Sequence, residues 1–373
     1  MHTRLLLALL AALLAALWPA APLSAQQAYP QELQTWAERG EAEAQFELGL
    51  RLITGEGVKK NLEQGVHYIE LAARQKHLRA QHILGTLYED GIGVKKDLAK
   101  AASWYRTSAD LGFALSQHSL AVLYEEGRGV KKDPVRATEW FKKAAEQGNP
   151  PSQTAYAAKL EHGDGATKNT AKAALWYLKA AQQDFVPAMT RLANLYYTGQ
   201  GVPVDYRRAG AWYHRAARSE DPWAANNLAW FLSTCPEENL HNGETAVLLA
   251  RRALKLVAEA AQNDEQPYEM IDTMAAALAR NGEFKEAELW QKRAITLLDE
   301  DKVIPSEERK KLQNEFSTRL KLYQKATPFV EPGPPGEQGA EPLPQDTILQ
   351  DEDIPETKPR KPTTPKSGRG TVV

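Results

Sequence analysis

The sequence predicts an all-α fold, a solenoid of antiparallel helix pairs, and three observations carry that prediction. Five Gly-x-Gly pairs, Gly55/Gly57, Gly91/Gly93, Gly127/Gly129, Gly163/Gly165 and Gly199/Gly201, recur at a constant spacing of 36 residues. Self-similarity at a fixed period of about 20 to 50 residues marks a chain built from stacked supersecondary units. An apolar i, i+4 pattern precedes each pair, and an Asn or Asp follows six residues after each first Gly. Helix, turn and helix start therefore repeat in one order. The balance of 43% apolar and 25% charged residues is that of a soluble globular protein. A formal net charge of −2 gives no whole-molecule field for nucleic acid.

The first element is expected to lie outside the fold. After Met1-His2-Thr3-Arg4 comes an apolar run from Leu5 to Trp18, then Pro19-Ala20-Ala21-Pro22-Leu23-Ser24-Ala25. This reads as a secretory signal peptide over 1–25, cleaved after Ala25. The run of about 14 residues falls short of the roughly 20 that span a bilayer, so no integral membrane segment is expected after cleavage. Gln26 stands where a lipoprotein signal would need its lipid-accepting Cys, which excludes lipidation at that position. Residues 26–40 form a lead-in. Cys235 is the only cysteine, so no internal disulfide can form, and it reads as a small apolar residue at a helix end before Pro236.

Residues 41–235 hold five full copies and the first helix of a sixth. Six residues before each first Gly stand Gly49, Gly85, Ala121, Ala157, Ala193 and, in the sixth copy, Ala229. Gly in mid-helix costs about 1 kcal/mol relative to Ala, so this column predicts a close helix approach. Leu48, Leu84, Leu120, Tyr156 and Leu192 with Leu52, Tyr88, Tyr124, Leu160 and Tyr196 form the apolar stripe. The Gly-x-Gly pair ends the first helix through the left-handed backbone region. It is no phosphate loop, because a helix precedes it and no third Gly follows. Asn61, Asp97, Asp133, Asn169 and Asp205 are the expected N-caps of the second helices. In those helices Tyr68, Trp104, Trp140, Trp176 and Trp212, followed in four copies by Tyr105, Phe141, Tyr177 and Tyr213, are expected to fill gaps left by small pairs such as Ala144-Ala145.

The run Leu84-Gly85-x-x-Tyr88-x-x-Gly91-x-Gly93-Val94-x-x-Asp97-x-x-Lys100-Ala101-x-x-Trp104-Tyr105, with its copy ending in Trp140-Phe141, resembles the Sel-one-like repeat (SLR) family, a tetratricopeptide-type solenoid. The resemblance implies a right-handed stack of helix pairs used as an adaptor or assembly platform, in bacteria often within the envelope. Cysteine-rich extracellular members have been linked to β-lactams, but this chain lacks their cysteine pairs.

Beyond Pro236 the 36-residue register fails while helical patterning continues. Residues 236–325 are read as a tetratricopeptide-like repeat, with Asp272, Ala275, Ala277, Gly282, Ala287 and Ala294 in its pattern, and a capping helix over about Ser306 to Gln324. Residues 326–373 are expected to be a disordered Pro-rich tail, since 10 of the 22 prolines fall from Pro328 onward. Eight acids between Glu331 and Glu356 precede five bases between Lys358 and Arg369.

Enzyme motifs are absent from the sequence: no His-Glu-x-x-His, Gly-x-Ser-x-Gly, Walker loop or paired Cys. No cofactor or metal is expected; His82 and His118 share a column that offers no third ligand. The preferred function is an exported, non-catalytic scaffold binding protein or peptide partners, expected in the periplasm of a Gram-negative bacterium. A binder of peptidoglycan or another anionic envelope polymer is the alternative, and a hydrolase without a recognisable motif the third reading. For the first, the variable columns of the first helices, expected on the concave face, point to His82, His118, Arg191, Asn194, Asn226 and Asn227. For the second, Lys60, Lys96, Lys132 and Lys168 fall in one column and would align as a basic rim.

Overall fold

The computed structural model describes residues 30–261, 267–334 and 342–343. The expected signal segment lies outside the described residues, as does the tail beyond Pro334 apart from Pro342 and Leu343. Described residues form sixteen α-helices, one 3-10 turn and no strand. The chain divides into two compact units, residues 1–169 and 170–373.

In the N-terminal unit α1 (Pro30–Glu38) lies within the lead-in. First helices α2 (Ala42–Thr54), α4 (Leu78–Asp90), α6 (Ala114–Glu126) and α8 (Pro150–His162) alternate with second helices α3 (Leu62–Arg74), α5 (Leu98–Asp110) and α7 (Pro134–Glu146). Each helix packs on the next in sequence, the arrangement of an α-solenoid. The turns are chemically uniform. Gly55, Gly91, Gly127 and Gly163 end their helices at φ of 85°, 76°, 75° and 80°. The Asn61, Asp97 and Asp133 side chains then accept hydrogen bonds from the Gln64, Lys100 and Arg136 amides at 2.9–3.1 Å. Second glycines have a further reason that spacing did not reveal: a Cβ on Gly129 would lie 2.2 Å from the Leu98 carbonyl, and one on Gly165 2.2 Å from that of Pro134. Each turn rests on the start of the preceding second helix.

The small column behaves as its composition requires. A Cβ on Gly85 would fall 2.6 Å from the Tyr105 ring, while Ala121 and Ala157 are fully buried. The aromatic column differs from expectation. Tyr105 and Phe141 fill the core, whereas the preceding Trp104 and Trp140 are half-buried, with Lys143 3.9 Å above the Trp140 ring. Tyr105 and Phe141, the residues after these two Trp, are buried in the stack, and the Trp140 indole lies beneath the Lys143 ammonium.

A polar ladder joins the copies. Gln45, Gln81, Gln117 and Gln153, a buried column of period 36, donate their side-chain amides to the Ala37, Ala73, Ala109 and Ala145 carbonyls at 3.0–3.2 Å. Each Gln adds a second donor to a carbonyl at the end of the preceding helix that also accepts a turn amide, from Gly40, Lys76, Gly112 or Gly148, and so ties one copy to the next.

The C-terminal unit begins with α9 (Thr170–Ala181), followed by α10 (Val186–Thr198), α11 (Tyr206–Ala217), α12 (Pro222–Thr234), α13 (Gly243–Ala261), α14 (Tyr268–Arg280), α15 (Phe284–Glu300) and α16 (Ser306–Gln324). Its turn after α10 follows the same rules, with Gly199 at φ 69° and Asp205 capping the Arg208 amide at 2.9 Å. Trp212 is fully buried here, as are Ala287 and Ala294 on α15. The Gln ladder stops: positions 189 and 225 are buried Met189 and Ala225.

Candidate functional site

The sequence-predicted histidines serve packing between copies. His82 on α4 shares a hydrogen bond of 3.1 Å with the Ser116 hydroxyl on α6, and His118 one of 2.8 Å with Ser152 on α8. Their rings lie against Tyr105 and Phe141 at centroid distances of 5.3 and 5.4 Å. Burial disfavours the imidazolium and lowers His82 to about 4, with the neighbouring His118 adding to the effect. His118 is lowered for the same first reason, Glu125 opposing. Nearby, Lys159 is almost fully buried with its ammonium 2.5 Å from Glu125 and 2.6 Å from Asp164.

The four column lysines, Lys60, Lys96, Lys132 and Lys168, are all exposed at equivalent turns of the N-terminal unit. Beside Lys132 an open hollow of about 570 Å³ is lined by Arg106, Tyr124, Lys131, Arg136 and Asp133, among others. Arg106 donates to the Tyr124 hydroxyl, and both Arg106 and Arg136 lie 5.8 Å from the Tyr124 ring centre.

In the C-terminal unit Arg191 is exposed on α10, and Asn194 accepts a hydrogen bond from the Tyr213 hydroxyl. Asn226 is buried on α12 and its Oδ1 has no hydrogen-bond partner among the described residues; Asn227 beside it is half-buried. Cys235 is a buried free thiol, pushed by burial to about 11 and thus poorly nucleophilic.

Sequence reading missed the most developed polar constellation of this unit. Asp272 on α14 and Arg319 on α16 form a buried ion pair at 3.0 Å, each side chain 7% exposed, with Gln291 donating to the same Asp272 oxygen at 2.7 Å. Burial raises the Asp272 pKa, and Arg319 and Gln291 oppose that rise. The Arg319 guanidinium lies 4.9 Å from the Phe316 ring centre, and 5.3 Å from each of those of Trp230 and Phe329.

Phe329 belongs to the segment expected to be disordered from residue 326. Instead, residues 327–334 run back from α16 across the first helices. Arg280 on α14 donates to the Phe329 carbonyl at 3.0 Å, and the Glu331 amide donates to the Thr234 carbonyl at the end of α12 at 2.8 Å. The Glu331 carboxylate accepts from Trp230 Nε1 at 2.8 Å and from the Tyr197 hydroxyl at 2.5 Å. Burial and this carboxylate together raise the Tyr197 pKa. The signal available in the sequence was Phe329 itself, the last aromatic residue of the chain, two positions before an acid. Composition over the whole tail hid it.

Among the described residues no helix is long and apolar enough to cross a membrane, and no group of three His, Cys, Asp or Glu could hold a metal ion.

Stacked helix pairs with a row of first helices that holds an extended chain define a repeat protein of the α-solenoid class. Comparison with family models matches the Sel1 repeat at residues 42–77, 78–113, 114–149, 150–185 and 186–221. Residues 42–221 thus carry five Sel1 repeats. Comparison with curated proteins gives no match. Among solved structures, the chain is similar to a protective antigen of uropathogenic Escherichia coli strains with an SLR fold, at TM-score 0.58 and 25% identity over 80% of this chain and 76% of that one. It is also similar to a Sel1 repeat protein from Oxalobacter formigenes, at TM-score 0.55 and 26% identity over 61% of this chain and 94% of that one. Sel1 repeats in general mediate protein–protein interactions.

Proposed function

We propose that this protein is a non-catalytic scaffold of the bacterial envelope that holds extended segments of partner proteins across the first helices of its C-terminal unit. The observation that carries the reading is residues 327–334 lying across that row, bound through main-chain and side-chain groups of α10, α12, α14 and α16. A surface that binds one extended chain has the donors, acceptors and aromatic walls to bind another. Export rests on the apolar run from Leu5 to Trp18, read as a signal segment. In-cell crosslinking followed by mass spectrometry tests this, comparing wild type with Trp230→Ala. Partner proteins should be recovered with the wild type and depleted with the variant; an unchanged partner list would overturn the assignment to this face.

A second reading, binding of an anionic envelope polymer, is favoured by the exposed lysine column and the cationic hollow beside Lys132. Salt-sensitive sedimentation with isolated cell wall, abolished by Lys96→Glu with Lys132→Glu, would support it.

A further inference from the structure

The chain segment on the first-helix row shows which chemistry that surface selects. Phe329 faces the platform of Trp230 and Arg319, the Val330 side chain is 42% exposed, and Glu331 turns back to the surface. In, out and in is the alternation of an extended strand, so the surface reads residues two apart. The two inward positions meet different subsites. The first is an aromatic wall with a guanidinium fixed by Asp272. The second offers two neutral donors, the Tyr197 hydroxyl from α10 and the Trp230 indole from α12, each taking one carboxylate oxygen. Two donors on successive first helices that converge on one carboxylate form a site built for an anion. Main-chain bonds from Arg280 and to Thr234 set the register between the subsites.

The occupant is lightly held. None of residues 327–334 is fully buried, none lies in a helix, and Thr327, Val330, Pro332 and Gly333 are exposed. It starts only a few residues after α16 ends, so its local concentration is on the order of millimolar, the scale for short tethers. Weak contacts then suffice to keep the site filled, and any partner must compete with the tether.

We propose that Phe329-Val330-Glu331 is a built-in competitor for a peptide site that recognises an aromatic residue and, two positions on, a carboxylate, and that partner segments with this pattern bind by displacing it. The proposal rests on the scaffold reading and deepens it. The site accepts a specific side-chain pair, and its availability is set by the chain's own segment.

The test uses the full chain and a fluorescein-labelled peptide of residues 326–334, followed by fluorescence anisotropy. Phe329→Ala with Glu331→Ala vacates the site, and this variant should bind the probe at least about tenfold more tightly than wild type, following the removal of a millimolar competitor. Adding Tyr197→Phe, or replacing the probe's glutamate by glutamine, should weaken binding about tenfold, the loss of one charged hydrogen bond. Equal probe affinity in wild type and vacated chain, or no binding to a vacated chain with wild-type helicity and melting temperature, overturns the proposal. Should the double variant fold poorly, Glu331→Gln serves in its place. On the wild type, excess unlabelled peptide must accelerate amide exchange at Glu331, and protection that does not change counts equally against displacement. These outcomes are separate from the scaffold reading, which fails only if crosslinked partners ignore Trp230→Ala.

Discussion

The two units use one repeat geometry for opposite ends. In the N-terminal unit the polar positions of the first helices are turned to neighbouring copies: Gln81 to Ala73, His82 to Ser116, Gln117 to Ala109, His118 to Ser152. In the C-terminal unit the corresponding Gln positions are Met189 and Ala225, and polar groups of the first helices, Tyr197 and Trp230, meet an extended segment instead. A column that varies between copies is therefore no uniform binding face. In the N-terminal unit the Gln and His columns brace neighbouring copies; in the C-terminal unit other positions of the first helices, Tyr197 and Trp230, hold the extended segment.

The largest effect should come from breaking the platform of the C-terminal unit. Arg319→Ala would leave Asp272 buried with only Gln291 to satisfy it, and removing one partner of a buried pair costs about 3–5 kcal/mol. Urea unfolding should show that loss, and amide exchange should place it in α14 to α16 while α2 to α7 keep their protection. A loss shared equally by both units would end the picture of separate bracing.

Acid should strike the other unit. His82 has a folded-state value of about 4 against about 6.5 when unfolded, so the unfolded chain binds more protons across that window. Stability from the neutral imidazole is complete above pH 6.5 and falls as pH drops towards 4, by at most about 2 kcal/mol at pH 5. His118 shifts in the same direction and adds to the slope. Melting temperature measured from pH 7 to 5 should fall for wild type and fall less for His82→Gln. Equal slopes would show that the histidine brace is not the acid-sensitive element.

Much of this fold was legible in the sequence, and the reasons are local. Gly91, Asp97 and Gly85 each answer a steric or hydrogen-bonding demand made within one copy, and repetition multiplied the signal five times. What escaped was set between elements far apart in sequence. Nothing near Asp272 announces Arg319 47 residues later, and nothing near Trp230 announces Glu331 101 residues later. The Gln45, Gln81, Gln117 and Gln153 column was visible as a repeat, yet its partner carbonyls lie on the helix before and carry no side-chain signature. The lysines of the basic column are exposed at their turns, because a lysine beside a helix-ending Gly has no core to enter.

A smaller loss is expected from making the N-terminal unit resemble its neighbour. Gln117→Leu supplies the apolar character found at Met189, but it removes two hydrogen bonds, one to the Ala109 carbonyl, which keeps the Gly112 amide, and one from the exposed Gln147 side chain at 2.7 Å. Each lost hydrogen bond costs about 0.5–1.5 kcal/mol net, and part of that is recovered through apolar burial, leaving about 1 kcal/mol. Chemical denaturation should report it as a lower midpoint with an unchanged slope. If Gln117→Leu were neutral, the ladder would be dispensable and the contrast between the units would rest on the histidines alone.

The smallest stability effect belongs to the lysines, and its smallness is what makes them informative. Lys96 and Lys132 are exposed, and substitutions at such surface positions usually change stability by less than about 0.5 kcal/mol. Lys96→Glu with Lys132→Glu should therefore leave the melting temperature within about a degree or two, while reversing the charge at two of four equivalent turns. A fall in salt-sensitive wall binding at constant stability could then be assigned to the rim itself. If wall binding stays constant while Trp230→Ala loses crosslinked partners, recognition lies with the C-terminal unit, and the basic turns of the other serve solubility.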